Sequence, residues 1–154
     1  MTRSGTIVRR LAWSLGGLAL VGGFAWMVLR SQAPPDGPRP VVWDRESCAE
    51  CRMSVSDPRF ACQLQTADGR VLDFDDPGCL FRHLSEDTAP VRALYFHAFD
   101  HDRWLGRDEV AFVPGPHSPM GYDLAAVAAG RTNALDYETA RAHALTKGAS
   151  HAER

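Results

Sequence analysis

Nowhere in this chain do basic residues gather into a run beside aromatic ones, and its charges nearly cancel. Seventeen Lys and Arg against 19 Asp and Glu leave a net charge of −2 over 154 residues. That balance lacks the electrostatic footprint of a nucleic-acid binder. Cysteine is scarce as well. Cys48 and Cys51 make one Cys-x-x-Cys, and no second pair at similar spacing completes a four-ligand zinc site. No cysteine follows the apolar N-terminal stretch closely enough to carry a lipid anchor. Methionine is equally scarce, four in all: past that stretch Met53 and Met120 are the only two, and neither sits in an apolar run, where core methionines are usually found.

What is abundant comes first in the chain. After Arg3, Arg9 and Arg10, the residues from Leu11 to Leu29 carry no charge. About 19 residues at 1.5 Å each span roughly 28 Å as a helix, close to the hydrocarbon core of a bilayer. Trp13 and Trp26 lie near the two ends, where amphipathic rings favour the interface. The length, and Pro34-Pro35 directly after the small-residue triplet Ser31-Gln32-Ala33, favour a signal anchor over a cleaved signal peptide. Basic residues before the segment place residues 1–10 in the cytoplasm and everything after Arg30 outside. Residues 30–42, with Pro34, Pro35, Pro38 and Pro40, read as a semi-rigid spacer. The remainder suffices for one small domain over 43–148, followed by a polar tail at 149–154.

Within that domain Phe60 to Thr66 alternates like a half-buried strand, with Cys62 on its inward face. Ala67-Asp68-Gly69 supplies a hairpin turn before a second strand, Arg70 to Phe74. Asp76-Pro77 reads as an N-cap and first helical residue, opening a helix to about Leu84. Val91 to Phe99 is a third strand. A strand over Glu109 to Val113, a proline-rich loop over 114–121, a weak strand or short helix over Tyr122 to Ala129, and a helix from about Ala134 to Leu145, capped by Asn133 and stopped by Gly148, follow. The expected class is α+β with antiparallel pairing.

The chemistry lies in the sulphur. Met53 stands two residues after the Cys-x-x-Cys, and Met120 lies in a Pro119-Met120-Gly121 turn. Thiolate and thioether donors select cuprous copper over harder divalent metals. The candidate ligands are therefore Cys48, Cys51, Met53 and Met120, with His117 as a backup donor from the second loop. Cys79 falls in the first turn of the Asp76 helix, where the dipole favours a thiolate, although packing beside Leu80 is its plainer role. Cys62 and Cys79 could instead form a structural bridge. His97, alternating with Tyr95 and Phe99, reads as a core histidine, Asp100 to Asp102 as a turn, and Asp73, Asp75 and Asp76 as turn and cap residues.

Cys48-x-x-Cys51-x-Met53, Phe74-Asp75-Asp76-x-Gly78-Cys79 and Pro119-Met120-Gly121 together resemble the NosL family of nitrous oxide reductase accessory proteins, in order and spacing over most of 43–133. The resemblance implies two related ββαβ halves, the second shortened here, and a membrane-tethered periplasmic Cu(I) chaperone on the inner membrane. It implies Cu(I) as cargo, with delivery to nitrous oxide reductase or another periplasmic copper enzyme alongside a membrane transporter complex. Members are typically lipoproteins, whereas this chain carries a signal anchor. Two other readings compete with the chaperone: a membrane-anchored thiol-disulfide oxidoreductase working through Cys48 and Cys51, and a structural module stapled by its cysteines.

Overall fold

A computed structural model describes residues 20–28, 30 and 36–152. The chain divides into two units, Met1–Ala33 and Pro34–Arg154. In the first, residues 20–28 are helical. Most of the expected membrane segment lies outside the described residues. Among those described, no helix is long and apolar enough to cross a membrane.

The second unit is a mixed α and β domain with two antiparallel sheets. Strands β1 (Cys62–Thr66), β2 (Val71–Phe74), β3 (Val91–His97) and β4 (Trp104–Gly106) form one sheet in the order β2-β1-β3-β4. Strands β5 (Val110–Pro114) and β6 (Leu124–Ala128) form a two-stranded sheet. Helix α1 (Pro77–Glu86) links β2 to β3, and α2 (Tyr137–Ala152) follows β6. The ββαβ order expected of the first half is present. The second half has two strands and a helix, with no closing strand among the described residues.

Local chemistry explains most boundaries. Gly69 turns the β1–β2 hairpin with φ of 92°, in the left-handed region that glycine enters at no steric cost. The Asp76 carboxylate accepts the Gly78 N–H at 2.8 Å, and Pro77 fills a position that needs no N–H, so α1 starts as its sequence dictates. Helix α2 starts later than expected. Asn133 itself adopts left-handed backbone, φ 61°, and the cap is Asp136, whose carboxylate accepts the Thr139 N–H at 2.8 Å. Nor does Gly148 end it: the helix continues to Ala152, through residues expected as a tail. A Cβ there would sit 3.4 Å from the Tyr122 ring, in ordinary van der Waals contact, so position 148 packs against that ring without demanding glycine.

The core lies where α1, the first sheet, the second sheet and α2 meet. Phe81 packs on Phe96 and Phe112 at ring separations of 6.1 and 5.5 Å, and Phe96 meets Phe112 edge-on at 5.1 Å. Burying each such ring contributes about 1.5–3 kcal/mol. Ala140 and Ala144, one turn apart, let α2 approach closely. The Phe99 N–H donates to Ala126 O at 2.8 Å, joining the end of β3 to β6.

Strand β1 departs from its half-buried pattern: every residue in it is buried. The reason is the proline-rich stretch. Gln63 accepts the Arg39 N–H at 2.6 Å and donates to Arg39 O at 3.2 Å, and Gln65 donates to Gly37 O at 2.6 Å. Arg39 also pairs with buried Asp73. Residues 36–40 are thus a strap over the polar face of the sheet, not a free spacer. His97 is the expected core histidine, held edge-on between Trp43 and Trp104 with its Nε2 3.1 Å from Asp102.

Candidate metal centre

Three segments distant in sequence converge at the start of α1. The first is the loop from Ser47 to Ser54, closed by a bridge between those residues and by the Cys48 N–H donating to Met53 O at 2.8 Å. Arg52 takes left-handed backbone, φ 68°, and returns its N–H to Cys48 O at 3.1 Å. This tight return keeps Cys48 and Cys51 side by side. The Ala49 N–H donates to Asp73 O at 2.9 Å, pinning the loop against the end of β2. The second segment, Asp75 to Cys79, leaves β2 and enters α1. The third is the loop 116–123 from the second half of the domain.

The ligand atoms of Cys48, Cys51, Asp75 and Cys79 all lie within 4.8 Å of one another. Cys48, Asp75 and Cys79 are buried and Cys51 is partly exposed, so the cluster opens to solvent through one thiol. The Cys51 S–H donates to Asp75 Oδ1 at 3.4 Å. Asp75 Oδ2 is buried with no hydrogen-bond partner. A buried carboxylate oxygen left unpaired costs about 1–3 kcal/mol or more, an expense that a bound cation nearby would offset. All four cysteines are free thiols, and Cys62 is a core residue whose S–H reaches Phe60 O at 3.4 Å. The Cys62–Cys79 bridge weighed above is not formed.

The thiols titrate as a group. The facing Cys79 thiol draws Cys48 down to about 7, against the opposing effect of burial. The same contact, with burial added, pushes Cys79 well up. Burial raises Cys51 to about 12. Only one thiolate forms readily without a cation; with one, the other protons are displaced. Burial also pushes the neighbouring Asp76 carboxyl up to about 6, while donors from Ser118, Gly78 and Met120 pull the other way.

The remaining sequence candidates are placed unevenly. Met120 is partly buried against the core that includes Cys48 and Cys79, and its N–H donates to Asp76 Oδ2 at 3.1 Å. Met53, within the cysteine loop, is 54% exposed. His117 faces solvent, 95% exposed, with Nδ1 3.3 Å from Asp123. Cys79 and Asp75, read from sequence as packing and turn residues, are the additions. Their signal was the helix start: an N-cap at 76 places residue 79 in the first turn, beside whatever precedes the cap.

Comparison with known proteins adds little. No family model and no curated protein matches this chain. The crystal structure of the copper chaperone NosL from Shewanella denitrificans is similar at 19% identity, covering 73% of this chain and 89% of that one, with a TM-score of 0.49. No family is assigned by this likeness. The case for a metal centre rests on the convergence of the thiols.

Proposed function

We propose that the protein is a membrane-anchored, extracytoplasmic Cu(I) chaperone whose cargo is held by Cys48, Cys51 and Cys79, with Met120 as a thioether donor and Asp75 beside them. The observation that carries this reading is the convergence of three free thiols and a buried, unpartnered carboxylate oxygen. Thiolates suit both cuprous copper and zinc; thioether favours copper. The sequence resemblance supports the same cargo, two related ββαβ halves, and delivery to a periplasmic copper enzyme, nitrous oxide reductase or another.

Cargo transfer by ligand exchange needs one reachable donor, so that an incoming ligand can substitute stepwise. Partly exposed Cys51 meets that need. Cys48 and Cys79 are closed to solvent and would hold the ion until the end. The same division disfavours the oxidoreductase. The thiol with the lowered pKa, Cys48, is fully buried, and the reachable one, Cys51, is raised to about 12. A disulfide-exchange nucleophile needs both properties in one thiol.

The test is anaerobic titration of the reduced full-length chain with Cu(I) against a chromogenic chelator, with Zn(II) as control. Tight, stoichiometric, copper-selective binding is expected. Zinc binding of equal strength, or no competition for copper, would overturn the reading.

A further inference from the structure

An N-cap needs one oxygen, and Asp76 has one to spare. Its Oδ1 accepts the Gly78 N–H at 2.8 Å and so caps α1. Its Oδ2 is used otherwise: it accepts the Ser118 hydroxyl at 2.6 Å and the Met120 N–H at 3.1 Å, both from the loop 116–123. Asp76 is fully buried. Burying a carboxylate is costly, and serine or asparagine caps a helix about as well. Capping alone therefore does not explain aspartate at this position.

The loop it grips is already folded as a unit. Ser118 Oγ accepts the Asp123 N–H at 2.9 Å, and the Gly121 N–H, at a φ of 71°, donates to Ser118 O at 2.9 Å. From the same loop the Tyr122 ring lies on Gly78, so closely that a Cβ there would sit 1.9 Å from the ring. The turn around Met120 is thus fastened to the same helical turn that carries Cys79. The fastening on Met120 is through its own backbone.

We infer that Asp76 is a positioning residue: its second carboxylate oxygen fixes the Met120 turn against the first turn of α1, so that the thioether from one half of the domain meets the thiols of the other. The inference rests on the Cu(I) reading above. It explains why a buried charge persists one residue from the cluster without being counted among its ligands.

Asp76→Ser separates the two duties, keeping a capping oxygen for Gly78 while losing the oxygen that holds the loop. The experiment measures Cu(I) affinity of the reduced full-length chain by chelator competition for wild type, Asp76→Ser, Met120→Leu and the double variant. Ser118→Ala serves as a milder variant, and thermal unfolding without metal reports folding. Removing an orienting partner of a metal ligand typically weakens binding about 10- to 100-fold, which is the loss expected of Asp76→Ser. Ser118→Ala should weaken binding in the same direction. In the Met120→Leu background the same Asp76 substitution should cost nothing further. Equal losses in both backgrounds, or none with Met120 present, would overturn the positioning role. A Met120→Leu chain that binds copper like wild type would overturn it too, while leaving the thiol cluster intact. A wild-type chain that takes up no Cu(I) would remove the chaperone reading and this inference together.

Discussion

Cys79 joins Cys48 and Cys51 in the site although its local sequence reads more plainly as packing than as a ligand. Its Sγ lies in the cluster with Cys48 and Cys51, whereas Cys62 is turned to the core and a backbone carbonyl. Cys79→Ser should therefore weaken Cu(I) binding about as much as Cys51→Ser, by at least roughly tenfold, since each removes a soft donor. Cys62→Ala should leave binding unchanged and cost about 1 kcal/mol of stability from the small cavity left. Chelator competition and denaturant unfolding check the two halves of that statement. Proton linkage gives a further expectation. Near pH 7 Cys51 and Cys79, both raised, carry protons, and Cys48, drawn down to about 7, is about half protonated. Loading the ion on three thiolates then releases between two and three protons, so affinity rises with pH. The dissociation constant should fall roughly 100- to 1,000-fold per pH unit around pH 7. A constant that does not change between pH 6 and 8 would exclude thiolate ligation.

At the scale of elements, the start of α1 is both scaffold and site. Gly78 is required there by the Tyr122 ring, not by backbone conformation. Gly78→Ala should destabilise the domain by about 1–3 kcal/mol through overpacking, and Tyr122→Ala in the same chain should recover part of that loss. Denaturant melts of the two chains test it. This helix start was readable in Asp76-Pro77, because capping is a local matter of one side chain and its own N–H groups. So was the Gly69 hairpin. What stands next to the helix start was not readable. The approach of the cysteine loop depends on left-handed Arg52 and on the Ala49 N–H finding Asp73 O, a long-range pairing that no local pattern encodes. The α2 cap was misplaced for a related reason. Asn133 and Asp136 are both good capping residues, and tertiary contacts chose between them.

At the scale of the molecule, the polar face of the main sheet is covered by the chain's own proline-rich stretch. Proline density alone suggests a spacer, and nothing local shows that Gln63 and Gln65, on the polar face of an alternating strand, supply partners for its backbone. Arg39 ties this strap to Asp73, at the end of β2, and lies 3.4 Å from Glu46, two residues before Cys48. Arg39→Ala should cost about 1–2 kcal/mol, less than breaking a fully buried pair because the guanidinium is 39% exposed. Thermal unfolding checks that, and a neutral effect would show that the strap merely rests on the sheet. The most direct test of the metal centre is copper K-edge X-ray absorption on the reduced, Cu(I)-loaded full-length chain. A first shell dominated by three or more sulphur neighbours, losing one in Cys79→Ser, is the predicted result; a shell of nitrogen and oxygen, unaltered by that substitution, would contradict it.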